Sequence, residues 1–124
     1  MKTFRAFVLA ISLAAASGSY AEEWIAIAAT HWRDGGGTPH AAVGYSGIRS
    51  SEDDAAASAL NACKSGGGVG CEVLGAFDDG CIYITSGSSN DKAGYGAGAT
   101  PERAMEKCTN EGIACKTPVG GCID

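Results

Sequence analysis

Residues 55–77 have the sequence AAASALNACKSGGGVGCEVLGAF, in which an alanine-rich segment, a glycine loop and an apolar segment follow one another. The first eight residues predict a helix, because alanine is the strongest helix former. Ser51 and Asp54 resemble a capping box at its start. Cys63 at the helix end and Cys71 at the start of the apolar segment can close a short loop by a disulfide. This stretch therefore predicts a helix that is tied to the strand after it.

The rest of the chain predicts a second copy of this unit. Trp24–Ile27 matches Cys81–Ile84, each with the period-2 alternation of a strand, and Gly44-Tyr45 matches Gly94-Tyr95. Later matches follow in the same order: Leu60 with Met105, Cys63 with Cys108, Cys71 with Cys115, and Cys81 with Cys122. The offset falls steadily along the chain, which indicates shorter loops in the second copy. We predict copies over roughly residues 24–81 and 81–122.

Both helices have a predicted packing face. Thr100 is a good N-cap residue and Pro101 suits the first helical position of the second helix. Helical spacing places two sets of residues on one face each: Ala56, Leu60 and Cys63, and Pro101, Met105 and Cys108.

The strands complete the predicted fold. Strand alternation puts Cys71, Val73, Gly75 and Phe77 on one side and Leu74 and Ala76 on the other. Asp78-Asp79-Gly80 predicts a hairpin turn that leads into the Cys81 strand. Strand, helix and strand then occur twice, with antiparallel hairpins. We predict an α+β domain with a mostly antiparallel sheet and two helices packed on one face, internally duplicated and stapled by disulfides.

All six cysteines lie after residue 21, and an even count in a small exported domain is typical of a disulfide framework. Six cysteines allow 15 connectivities. The short loop and the duplication favour three pairs: Cys63–Cys71, Cys108–Cys115 and Cys81–Cys122. The spacing disfavours zinc, which prefers cysteines two to four residues apart, and an even count disfavours a catalytic thiol. We expect no metal and no cofactor.

Residues 1–21 are predicted to be a signal peptide. Lys2 and Arg5 precede the apolar run Ala6–Ala16, and small residues at positions 19 and 21 predict cleavage before Glu22. The apolar run is too short for a membrane-spanning helix, which needs about 20 residues. We expect one domain, residues 22–124, that is periplasmic or secreted.

The charge of this domain limits its partners. Without Lys2 and Arg5 it has seven basic and 14 acidic residues, a net charge of −7. Such a protein repels nucleic acids and anionic membranes, so we expect neither nucleic-acid binding nor stable membrane association. Any charged partner is expected to be basic.

The sequence resembles a known family. The resemblance lies in Trp24–Ile27, Gly44–Ser46, the helix end Ala59–Cys63, Gly70–Val73 with Phe77, and Cys81. These segments resemble the bacterial exported family called domain of unknown function 4189, over nearly the whole mature chain. The resemblance implies a secreted or periplasmic protein with disulfides, and it transfers no catalytic residue.

One segment carries candidate functional side chains. His31, Trp32, Arg33 and Asp34 combine an aromatic ring, cations and a carboxylate in a loop without an equivalent in the second copy. The alternative is a structural loop whose tryptophan packs over the sheet edge. His40 can pair with Asp34 or Asp78 as an acid–base pair, but no nucleophile elbow accompanies it.

These observations favour a non-enzymatic protein-binding module, of the inhibitor or immunity type. Two alternatives stay open: a small hydrolase that uses His31 or His40 with a carboxylate, and a structural or stress-related envelope protein. The binding module requires a partner protein. The hydrolase requires a side chain whose loss stops turnover, and the envelope protein requires an even surface without a pocket.

Overall fold

A computed structural model describes residues 22–124, so the predicted signal peptide lies outside the described residues. The described chain forms seven strands and two helices: β1 (Ile25–Arg33), β2 (Pro39–Tyr45), α1 (Glu52–Ser65), β3 (Glu72–Phe77), β4 (Gly80–Ser88), β5 (Ala93–Gly98), α2 (Pro101–Thr109), β6 (Ala114–Cys115) and β7 (Val119–Ile123). Both helices start where the sequence predicts. The hydroxyl of Ser51 accepts the amide of Asp54 at 3.1 Å, and that of Thr100 accepts the amide of Arg103 at 3.1 Å.

The strands form two antiparallel sheets. In the first, β1 lies between β2 and β3. In the second, β4 lies between β5 on one side and β6 and β7 on the other. The predicted α+β class, the antiparallel pairing and the two helices are therefore confirmed.

The layering differs from the predicted single sheet with both helices on one face. On β1, Ala26 and Ala28 are buried against α1, whereas Ile27 and Ala29 are buried against Ile84 of the second sheet. Helix α2 packs on β4 and β5. The layers run helix, sheet, sheet, helix. The physical reason is that six successive residues of β1, from Ile25 to Thr30, are buried, so both faces of this strand need a cover.

Glycine lets each helix touch its sheet through the backbone. A Cβ atom on Gly44 of β2 would overlap the carbonyl oxygen of Ala59 and the amide nitrogen of Cys63 in α1. A Cβ atom on Gly96 of β5 would do the same to Ala104 and Cys108 in α2. Sequence matching pairs Gly44 with Gly94, but the residue in the corresponding place under α2 is Gly96. The internal duplication itself stays a prediction.

This close approach also corrects the predicted helix faces. The buried residues of α1 are Ala55, Ala59 and Cys63, and those of α2 are Ala104 and Cys108. Cys63 and Cys108 lie on the buried faces as predicted, but the other predicted residues lie beside the contact, where Ala56, Leu60 and Met105 are half-buried and Pro101 is exposed. Only the smallest side chains fit between a helix and a glycine-containing strand.

Two further expectations about strands are wrong. The register of β1 and β3 shifts between Ile27 and Ala28, so that Val73 faces the helix side and no longer shares a side with Phe77. Asp78 and Asp79 connect β3 to β4, which belong to different sheets, so this turn is a crossing between layers and not a hairpin within one sheet.

Three disulfides connect the elements, and they are the three pairs named above. Cys63–Cys71 joins the end of α1 to the start of β3, and Cys108–Cys115 joins α2 to β6. Cys81 and Cys122 lie directly opposite each other on β4 and β7. Cys63 and Cys108 are fully buried, whereas Cys81 and Cys122 are both exposed.

Candidate functional site

The candidate residues lie at the tip of the β1–β2 hairpin. The sequence predicts a loop over residues 31–34, but His31, Trp32 and Arg33 are the last residues of β1, because they pair with β2. His40 is the second residue of β2. The chain reverses between them, and the amide of Gly37 donates to the carbonyl of Asp34 at 2.9 Å. Gly37 has a φ of 81°, which favours glycine over residues with a side chain. Strand pairing thus brings the five candidate residues together.

Both carboxylate oxygens of Asp34 stabilise the chain reversal between β1 and β2. Its Oδ1 accepts the amides of Gly36 at 2.9 Å and Thr38 at 3.0 Å, and its Oδ2 lies 2.8 Å from Nε2 of His40. The hydrogen bond with His40, followed by the backbone amides, lowers the pKa of Asp34. Of the two partners suggested for His40, the structure selects Asp34, while Asp78 lies between β3 and β4.

Trp32 stacks on His40. The two residues are directly opposite in the β1–β2 register, and their rings lie 5.2 Å apart with an angle of 21° between the planes. Trp32 is half-buried and also packs against the alanine-rich core beneath α1. The stack and the hydrogen bond to Asp34 together hold the imidazole of His40 in one orientation.

Arg33 points the other way, towards the second sheet. Its guanidinium donates to the carbonyl of Gly37 at 2.8 Å and to the carbonyl of Asp91 at 2.7 Å. Asp91 lies in the loop between β4 and β5, so Arg33 connects the two sheets at this end. His31 lies on the same face, with its ring 6.3 Å from that of Tyr95 in β5.

These side chains border two grooves, which we call the tip groove and the side groove. The tip groove has a volume of about 470 Å³ and is lined by His31, Trp32, Arg33, Pro39 and His40 on one wall and Lys92 and Ala93 on the other. The side groove has a volume of about 320 Å³ and is lined by Ala29, Thr30, His31, Val69, Gly70, Glu72, Leu74 and Tyr95. His31 lines both, so the two grooves adjoin.

The rim of the side groove carries two exposed apolar side chains on a firmly held frame, although most of the groove lining is polar. Val69 is 59% exposed and Leu74 is 43% exposed, which is high for large apolar side chains. The carbonyl of Val69 accepts the hydroxyl of Thr30 at 2.6 Å, and the Cys63–Cys71 disulfide closes the same loop. Leu74 lies at the register shift of β3. Exposed apolar groups on such a rigid frame are a feature of binding surfaces.

The comparison with protein families gave a match. A family model described as "Domain of unknown function (DUF4189)" matches residues 24–122. The chain belongs to the DUF4189 family. No curated protein and no solved structure gave a match. The description of the DUF4189 family states no activity.

Sequence reasoning missed part of the DUF4189 domain's surface. Val69, Leu74 and Tyr95 lie far from residues 31–40 in the chain, and no local pattern places them beside His31. The one available signal was that Val69 and Leu74 each stand beside a glycine. Lys92 was missed for the same reason, because only the packing of the two sheets brings it opposite Arg33.

Two further properties apply to the part of this DUF4189 domain that the structure describes. Among residues 22–124, no three His, Cys, Asp or Glu side chains are arranged to hold a metal ion. Over the same residues, no helix is long and apolar enough to cross a membrane.

Proposed function

We propose that the chain is an exported, non-enzymatic protein-binding module of the inhibitor or immunity type, and that its partner binds over the side groove. The observation that carries this proposal is the exposed, rigidly held pair Val69 and Leu74 beside His31 and Tyr95. The centres of protein interfaces are apolar and rich in aromatic residues. Because the loop is already ordered, a partner that binds there loses little conformational entropy.

Export supports the same proposal. Three disulfides in a chain of this size are typical of proteins that fold outside the cytoplasm. We expect the natively produced protein to begin at Glu22 and to contain no free thiol, which intact-mass measurement before and after alkylation determines. An uncleaved N-terminus or alkylated cysteines would contradict export.

Site-specific photocrosslinking in the host cell tests the partner. A benzoylphenylalanine placed at position 69 is expected to form a discrete protein adduct, whereas the same residue at position 57, on the exposed side of α1, forms none. The adduct at position 69 is expected to decrease when Leu74 is replaced by Asp. Absence of an adduct at position 69, or equal adducts at both positions, contradicts the proposal.

A small hydrolase is the second candidate, because His40 and Asp34 lie 2.8 Å apart as a base and its orienting carboxylate do. Several observations favour a structural role instead. Asp34 also holds two backbone amides, His40 is stacked on Trp32, and within residues 22–124 no serine, threonine or cysteine side chain hydrogen bonds to His40. A panel of ester, peptide and glycoside substrates, tested on the wild type, His31→Ala and His40→Ala, decides between them. Turnover that His40→Ala abolishes without unfolding would establish the hydrolase.

A further inference from the structure

The tip groove concentrates positive and imidazole groups in an acidic protein. Residues 22–124 contain seven lysines and arginines against 14 aspartates and glutamates. Two of those seven, Arg33 and Lys92, line this one groove together with both histidines of the chain. The net charge of the whole domain therefore predicts a basic partner, whereas the local charge of this groove predicts the opposite.

The charge of Arg33 is not balanced by a carboxylate. Its two hydrogen bonds go to backbone carbonyls, which are neutral, and they fix the plane of the guanidinium. Among residues 22–124 the only ion pair within 4.0 Å is His40 with Asp34. A guanidinium has five N–H donors in a planar fork that matches an oxyanion, so Arg33 retains donors for a ligand.

Two acidic residues near the tip groove have other partners, and a third, Glu72, lines the adjoining side groove instead. Asp34 holds His40 and the amides of the hairpin loop, and Asp91 lies next to the hydroxyl of Ser89, at 3.4 Å. Neither aspartate lines the groove. Lys92 forms the opposite wall and is exposed, so a negative group between Arg33 and Lys92 would meet two cations.

We propose that the tip groove binds a carboxylate of an acidic segment in the partner protein. This inference rests on the proposed function, because it describes the part of that partner that lies next to the side groove. His31 lines both grooves, so an apolar residue over Val69 and an acidic residue between Arg33 and Lys92 would belong to one continuous segment.

A peptide titration of the full mature chain, residues 22–124, tests the inference without the natural partner. The probes are an acetylated, amidated peptide of six alternating aspartates and glutamates, its asparagine and glutamine analogue, and inorganic phosphate. Backbone amide NMR shifts are followed at low salt. We expect saturable shifts at Arg33, Lys92 and Ala93 with the acidic peptide only, and a loss of binding as salt rises, because exposed charges are screened.

Two matched variants provide the control. Lys92→Gln is expected to weaken acidic-peptide binding by about threefold, in the range of one exposed ion pair, and Lys107→Gln on α2 is expected to leave it unchanged. Arg33→Gln is expected to weaken binding further, and Arg33→Lys to restore part of it, because lysine keeps the charge but not the fork. The NMR spectrum of each variant reports whether its fold is intact.

Several results would overturn the inference: equal binding of the acidic and amide peptides, shifts confined to other surfaces, equal effects of Lys92→Gln and Lys107→Gln, or phosphate binding as tight as the peptide. The last would indicate a small-anion site instead of a peptide site. These failures are distinct from failure of the proposed function. If a partner crosslinks at position 69 and its binding does not change with Lys92→Gln, the carboxylate contact is contradicted. The proposed protein-binding function would still stand.

Discussion

Gly44 of β2 lies so close to the carbonyl oxygen of Ala59 in α1 that no side-chain atom fits between the two backbones. The same contact is repeated by Gly96 of β5 beneath Ala104 of α2. These two glycines set the distance between each helix and its sheet, and thereby decide which helix residues are buried.

Gly44→Ala is therefore expected to destabilise the protein by about 3 kcal/mol, since overpacking a tight core typically costs about 1–3 kcal/mol and here the obstacle is backbone. Gly96→Ala is expected to destabilise the protein by a similar amount. Gly35→Ala is the control, because a Cβ atom at Gly35 meets nothing within 4 Å. Urea denaturation with the disulfides intact measures all three. Equal midpoints for Gly44→Ala and Gly35→Ala would show that α1 can move away from β2.

Ser46 is a buried polar residue with a defined partner. Its hydroxyl accepts the amide of Ala26 at 2.8 Å, and both residues are buried. Ser46→Ala leaves that amide without its acceptor, which is expected to cost about 1–3 kcal/mol. Ser50→Ala, at an exposed serine four residues on, is expected to change stability by less than about 0.5 kcal/mol. Denaturant titration of both variants provides the comparison, and equal stabilities would contradict the role of the Ser46 hydroxyl.

The three disulfides are expected to differ in accessibility. Cys81 and Cys122 are both exposed, whereas each of the other bridges has one fully buried cysteine. Because exchange requires a thiolate to reach a sulfur atom, a dithiol reductant is expected to open Cys81–Cys122 first in the folded protein. Partial reduction, alkylation and peptide mapping measure the order. Earlier alkylation of Cys63 or Cys108 would contradict it.

Loss of the Cys81–Cys122 bridge by replacing both cysteines with alanine is expected to cost about 4 kcal/mol in the chain-entropy description of a loop of this length. Loss of Cys108–Cys115, which closes a much shorter loop, is expected to cost about 2.5 kcal/mol by the same description. Thermal and denaturant unfolding of the two double variants test the ranking. A larger loss from the short loop would mean that native packing outweighs chain entropy here.

Asp34 gives the protein an acid-sensitive element. Its pKa is lowered in the folded state, chiefly by the hydrogen bond with His40. The ionised carboxylate therefore stabilises the fold above the ordinary aspartate pKa of about 3.9, and this contribution is lost as pH falls through the lower folded pKa. The stability difference between the wild type and Asp34→Asn is expected to shrink between about pH 5 and pH 2.

Denaturation curves over this pH range measure the effect on stability. The matched control is Asp79→Asn, an exposed aspartate whose side chain makes no hydrogen bond within residues 22–124. Its stability is expected to stay parallel to that of the wild type throughout. If the stability difference between the wild type and Asp34→Asn did not change with pH, the charge of the carboxylate would not contribute to stability.

Local signals in the sequence predicted the elements that depend on local interactions. Ser51 and Thr100 cap the two helices because their hydroxyls reach amides three residues away, a distance fixed by the helix itself. The strands β2 and β5 were not predicted as strands, although Gly44-Tyr45 and Gly94-Tyr95 drew attention to them. Alanine and glycine make up five of the six residues of β5 and three of the seven of β2, and these residues have low strand propensity. They are present because a helix backbone lies on each strand.

The candidate site divides in the same way. His31, Trp32, Arg33, Asp34 and His40 are close in the chain, so a hairpin is enough to bring them together, and the sequence predicted them as a group. Val69 comes from the loop between α1 and β3, Leu74 from β3, Lys92 from the loop between β4 and β5, and Tyr95 from β5. Their place beside His31 follows from the packing of one sheet on the other, which no local pattern encodes.

The sequence by itself determined the helix starts, the antiparallel α+β class, the cysteine framework and the group of polar residues around Trp32. These depend on propensity and short spacing, which act between residues near in the chain. Only the tertiary structure decided that there are two sheets, which residue faces which layer, and that Arg33 lies opposite Lys92. Those features depend on which surface covers each strand. A strand that is buried on both faces is covered by a helix on one side and a sheet on the other, and these come together only when the whole chain folds.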